Sequence, residues 1–124
     1  MTAMLVLAAG TAAGEEPDGR ALYLENCAGC HGASLEGQPD WMVRKPDGRL
    51  PAPPHDATGH TWHHSDEQLF RITKEGLAVI APNYETDMPA FGGTMTDAEI
   101  RAVLDYIKST WPERERAIQA KRSE

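Results

Sequence analysis

The chain has 124 residues, of which 40% are hydrophobic and only 6% aromatic, and a formal net charge of −7. That length supports one domain, and the aromatic supply is thin for a packed core. The acidic balance argues against nucleic acid and anionic lipid as partners, and favours basic protein surfaces reached by electrostatic steering.

Met1 to Gly14 carries no charged side chain, and Leu5-Val6-Leu7-Ala8-Ala9 is a short apolar run followed by small residues. This reads as the remnant of a secretory signal, with a cleavage site after Ala13 and without the basic leading region. The run is too short for a bilayer, which takes about 20 apolar residues. A first helix is expected from about Pro17 to Asn26, with Ala21, Leu22 and Leu24 as apolar positions and Pro17 suited to its start.

That helix delivers the chain into Cys27-Ala28-Gly29-Cys30-His31, a C-x-x-C-H run. The spacing is the attachment signature of c-type haem. Two thiols three positions apart each reach one vinyl group of a single porphyrin, and the next residue offers an imidazole to the iron. The chain's only two cysteines lie in this run, so none is left for a disulfide elsewhere. A buried porphyrin would also supplement the core, at about 25 cal/mol per Å² removed from water. Three other readings of a bare C-x-x-C stand beside this one. A thioredoxin-like redox pair needs a βαβ context, and none is visible. A zinc site would need histidines to complete its ligands. An exported structural disulfide is the third.

From Gly32 to His64 the chain is rich in proline and glycine, with Pro39, Pro46, Pro51, Pro53 and Pro54 among Gly37, Gly48 and Gly59. A loop of this length in a compact domain is expected to wrap something. Its second half holds four histidines in ten residues, His55, His60, His63 and His64, together with Trp62. A second helix opens at Ser65-Asp66-Glu67-Gln68, a capping-box pattern, carries Leu69, Phe70 and Ile72, and stops at Gly76. Met88 follows in Asp87-Met88-Pro89, where the proline stiffens the loop. A thioether ligand on the far face of a haem raises its potential. Met42 and Met95 are the rival methionines, and a core-filling role is the alternative for Met88. A third helix opens at Thr96-Asp97-Ala98-Glu99, with Ile100, Val103, Leu104, Ile107 and Trp111 as one apolar stripe before Pro112. Glu113 to Glu124 reads as a charged, solvated helical extension.

Taken together, these residues resemble the class I c-type cytochromes, the small bacterial kind with one haem. The resemblance runs over about residues 17 to 112. It rests on Tyr23 through Gly32 as an aromatic-x-x-x-C-x-x-C-H-G pattern, on Met88-Pro89, and on a C-terminal helix. It implies an all-α fold of three or more helices around one covalent haem, with residues 15–112 as the cytochrome domain. Val103 and Tyr106 would cross Gly19 and Tyr23. Cys27 and Cys30 would hold the haem, His31 and Met88 would be its axial ligands, and Trp62 would contact a propionate. A proline carbonyl, of Pro51 or Pro53, would orient His31.

The function implied is one-electron transfer between redox proteins such as an oxidase, reductase or dehydrogenase, without enzymatic activity. The location implied is exported, periplasmic or on the outer face of the cytoplasmic membrane, with membrane association only through partners or an upstream anchor. The histidine cluster leaves an alternative, a haem-based sensor or metal-handling module over His55 to His64. Its histidines would otherwise bond propionates, cap the second helix, or replace Met88 on the iron. Catalysis at an open iron is a further reading.

Overall fold

A computed structural model describes residues 16–124; the expected signal remnant, residues 1–14, lies outside them. The described chain is all-helical, with α1 at Gly19–Asn26, α2 at Ala28–His31, α3 at Asp66–Glu75, α4 at Asp97–Ser109 and α5 at Glu113–Arg122. Two single 3₁₀ turns, Thr61–His63 and Leu77–Val79, flank α3. The all-α cytochrome c-like architecture is therefore as the sequence implied.

Each helix start has a local cause. The Asp18 carboxylate accepts from the Ala21 N–H at 3.1 Å, so α1 begins after Asp18 rather than at Pro17. The Thr96 hydroxyl and the Glu99 side chain cap α4 reciprocally, a complete capping box. At α3 only half of the expected box forms. Ser65 Oγ accepts from the Gln68 N–H at 3.2 Å, while the Gln68 side chain turns to the His64 ring at 2.8 Å.

The core is built where α1 crosses α4. Tyr23, Ile100, Val103, Ile107 and Trp111 are buried together with Leu35 and Met95. The Tyr23 and Tyr106 rings meet at 5.6 Å between centroids. Gly19 permits this crossing, because a Cβ there would overlap the Ala102 carbonyl oxygen. The crossing is the one the family resemblance implied. Trp111 falls beyond the last residue of α4 yet stays buried, and its indole N–H donates to the His55 carbonyl at 2.7 Å.

The C-terminal tail is helical but not simply solvated. Gln119, 1% exposed, directs its amide nitrogen at Asp66 Oδ1 (2.7 Å), Ser123 Oγ (3.1 Å) and the His64 carbonyl (3.3 Å). Lys108 of α4 reaches the same Asp66 oxygen at 2.9 Å. One polar knot around buried Gln119 thus joins the start of α3, the end of α4 and α5. A highly charged sequence hides such docking, because one glutamine carries it.

Two outcomes follow from these contacts. Gly19→Ala forces the α1–α4 crossing apart, and the overpacking cost, typically about 1–3 kcal/mol, is read as a lower denaturant midpoint. Asp66 titrates below the ordinary carboxylate range: burial alone would raise it, but the hydrogen bonds from Lys108 and Gln119 outweigh burial. Ionised Asp66 therefore adds stability above its unfolded pKa, near 3.9, and this is lost as pH falls through the lower folded value. Stability measured across that acid range should fall less steeply in Asp66→Asn than in the wild type.

Candidate haem site

The C-x-x-C-H run is folded into a single turn between two backbone anchors. The Cys27 N–H closes α1 on the Tyr23 carbonyl at 2.8 Å, and the His31 N–H returns to the Cys27 carbonyl at 2.9 Å. Both thiols are free, with Cys27 half-buried and Cys30 exposed. Burial, with Cys30 beside it, pushes the Cys27 thiol up to about 11. Redox-active pairs of this spacing have the opposite perturbation, a thiol made more acidic. The described residues also contain no strand, so the thioredoxin-like reading does not fit.

His31 is 7% exposed at the end of that turn. Its Nδ1 lies 2.8 Å from the Pro53 carbonyl oxygen. A carbonyl has no proton to give, so Nδ1 carries the hydrogen and donates. Nε2 then keeps its lone pair, the form in which imidazole binds a metal. Burial also lowers the basicity of His31, and the Pro53 bond opposes this in part. Of the two prolines left open by the sequence, the structure selects Pro53.

The loop that carries Pro53 is wound tightly around the motif. The Gly37 N–H donates to the His31 carbonyl at 2.7 Å, and the Tyr23 hydroxyl to the Gly32 carbonyl at 2.7 Å. Gly37, at φ +71°, and Gly59 both press on the Pro53-Pro54 backbone, where a Cβ on either would collide with it. Main-chain packing therefore aims the Pro53 carbonyl.

The three candidate methionines occupy different places. Met95 is 7% exposed within the core, and Met42 is 71% exposed on the Pro/Gly-rich loop. Met88 is half-buried on a loop braced at both ends. On one side Asp87 pairs with Lys45 (2.6 Å) and Arg49 (2.9 Å), and the Tyr84 hydroxyl accepts from the Leu50 N–H at 2.7 Å. On the other, the Phe91 and Gly92 N–H groups donate to the Thr73 and Lys74 carbonyls at the end of α3.

Trp62 packs against the core with its indole N–H donated to the Ala57 carbonyl at 3.1 Å. Its one indole donor is thus engaged within the loop. The histidine cluster is likewise divided. His60 and His63 meet edge to face at 5.4 Å, with Trp41 against His60. His64 bonds the Gln68 side chain at the start of α3, while the cap itself is made by Ser65, not by a histidine. His55 turns inward and stacks on His31 at 3.9 Å between centroids. Among the described residues no group of three or more His, Cys, Asp or Glu side chains is arranged to hold a metal ion.

Sequence reasoning did not single out His55 or the Tyr23 hydroxyl for these roles. The spacing of Tyr23 before Cys27 did mark its position. The donor set fits a covalently held haem: two free thiols on one turn, a buried imidazole with one nitrogen free, and a thioether on a braced loop. Gly59→Ala should displace Pro53-Pro54 and lower the thermal midpoint. Gly93→Ala, where a Cβ meets nothing within 4 Å, should leave it unchanged in the same melt.

Residues 14–107 match the family model described as cytochrome C oxidase, cbb3-type, subunit III. No curated protein and no solved structure gives a significant match. The matched stretch takes in the C-x-x-C-H turn, the Pro53 loop, the Met88 loop and α4 as far as Ile107. Domains of this kind hold haem c covalently and serve haem-based electron transfer. The chain belongs to the family of cbb3-type cytochrome c domains, and with them to the class I c-type cytochromes.

Proposed function

We propose that the chain binds one haem c through Cys27 and Cys30, with His31 and Met88 as its axial ligands, and carries single electrons between redox proteins. The observation that carries this reading is the His31–Pro53 hydrogen bond, which leaves one imidazole nitrogen, and only one, for iron. Bound there, the haem iron supplies a one-electron couple. The protein's own residues supply the rest. Pro53 holds the His31 tautomer, and the braced loop holds the Met88 sulfur. Burial of His31 keeps water and protons from its ring. Ligands held in fixed positions change little between oxidation states, so little of the driving force is lost to rearrangement.

Met88 is preferred over its rivals because Met95 is consumed by the core and Met42 lies in solvent. The partner we propose is a redox protein of an oxidase complex, in keeping with the family's description. The net charge of −7 would orient a basic partner surface during encounter. We also propose an exported location, from the uncharged, apolar Met1 to Gly14. No helix among the described residues is long and apolar enough to cross a membrane.

The test is the absorption spectrum of protein made in a host that matures haem c. The oxidised wild type should show haem c bands and the near-infrared sulfur-to-iron band. Met88→Ala should keep the haem, lose that band, and lower the reduction potential by roughly 0.1 V, within the roughly 0.8 V that axial ligation spans. An unchanged spectrum and potential in Met88→Ala would remove Met88 as the ligand. Haem that survives denaturation in the Cys27→Ala, Cys30→Ala double variant would overturn covalent attachment.

A further inference from the structure

The proximal side of the site holds a half-buried side chain for which the proposed electron transfer has so far no use. His55 lies with its ring on the ring of His31, 3.9 Å between centroids and 30° between planes. It is not a second ligand to the same iron. Two axial imidazoles point their nitrogens at the metal from opposite faces, whereas stacked rings at this distance leave no room for an ion between them. Nor is it a metal site of its own, since no set of three ligating side chains surrounds it among the described residues.

His55 is immobilised at three points. Its backbone N–H donates to the Leu35 carbonyl at 3.0 Å. Its carbonyl accepts from the buried Trp111 indole at 2.7 Å. Its ring Nδ1 meets the hydroxyl of buried Thr61 at 2.7 Å. Leu35 and Trp111 belong to the core itself. The His55 ring is thus a fixed plane, anchored to parts of the fold that do not belong to the C-x-x-C-H turn.

The Pro53 hydrogen bond and the His55 stack constrain different motions of His31. A single hydrogen bond fixes the position of Nδ1 but leaves the ring free to rock about the line to the Pro53 oxygen. A flat ring against one face removes that freedom. We infer that His55 is a positioning residue for His31, the second of two contacts that set the rotation of the ligand's imidazole plane. The inference rests on the reading of His31 as the proximal ligand. The plane of an axial imidazole decides how its π orbitals overlap those of the iron, so its angle is written into the electronic structure of the oxidised haem.

The experiment compares His55→Phe with His55→Leu in the mature holoprotein. Phenylalanine keeps a flat ring for stacking, while leucine keeps an apolar side chain without one. The readouts are the paramagnetically shifted haem-methyl proton resonances and the electron paramagnetic resonance g-values of the oxidised protein, with the thermal midpoint alongside. These resonances follow the orientation of the imidazole plane, which a loss of packing elsewhere does not alter. His55→Leu should move the methyl pattern and the g-values, and His55→Phe should stay close to wild type, even where both variants melt earlier. If leucine and phenylalanine give the same pattern, shifted or unshifted, the inference is overturned. Should His55→Leu fail to accumulate as holoprotein, His55→Met supplies the unstacked comparison and is judged in the same way. A wild type without covalent haem overturns the ligand reading and this inference with it. A wild type with haem c and indistinguishable variants overturns this inference alone.

Discussion

The hydrogen bond from His31 Nδ1 to the Pro53 carbonyl, 2.8 Å long, is the constraint on which the rest of the site depends. Its net free energy is modest, about 1 kcal/mol for a typical bond of this kind. Its effect is mainly geometric. It selects one tautomer of His31 and ties a turn between α1 and α3 to a loop far along the chain. That loop has to be brought in and held, and it has few apolar side chains with which to do so. The structure uses main-chain contacts instead. Gly37 and Gly59 lie flush against Pro53-Pro54, and Leu35 receives the N–H groups of His55 and Asp56. A proline-rich segment suits this use, because proline loses little conformational freedom on folding.

The helical frame gives the loop something rigid to lie against. Gly19 lets α1 and α4 approach closely, and Tyr23 reaches from that crossing to the Gly32 carbonyl just after the motif. Trp111 at the far end of α4 holds His55 from the other direction. His31 is therefore flanked by groups that trace back to the α1–α4 contact, besides the loop that carries Pro53. The knot around Gln119 extends the frame to α5 and clamps the start of α3, next to the Thr61–His63 turn.

Much of this was legible in the sequence, and the reasons for success and failure are physical. C-x-x-C-H fixes spacing and chemistry within five residues, and Thr96 with Glu99 fixes a helix start within four. Local signals of this kind need no knowledge of the fold. The choice between Pro51 and Pro53 was not readable, because any proline has a carbonyl and only the path of the loop decides which one faces His31. The four clustered histidines look alike in sequence and have different roles in space. His55 lies half-buried on His31, His64 braces α3, and His60 with His63 lies toward the surface. The bond from the Trp62 indole to the Ala57 carbonyl was likewise not readable, because only the path of the loop brings that carbonyl to the ring. The docking of α5 was hidden because burial of one amide leaves no periodic pattern.

The two sides of the site are held by forces of different kinds. On the proximal side the contacts are part-buried, largely to backbone and not between charged groups, so salt does not screen them. On the Met88 side the loop is pinned in part by Lys45 and Arg49 on Asp87, ion pairs between well-exposed side chains. Hydrogen bonding to Lys45 is the main reason the Asp87 carboxyl titrates below its usual range. Exposed pairs contribute little and are screened by salt. Segments with exposed ties and few buried apolar contacts belong to the low-stability end of a structure. Met88 therefore sits on the less strongly held loop. The fold thus places its firmest constraints around His31, within the attachment motif itself, and its weakest around Met88, which is brought in from elsewhere in the chain.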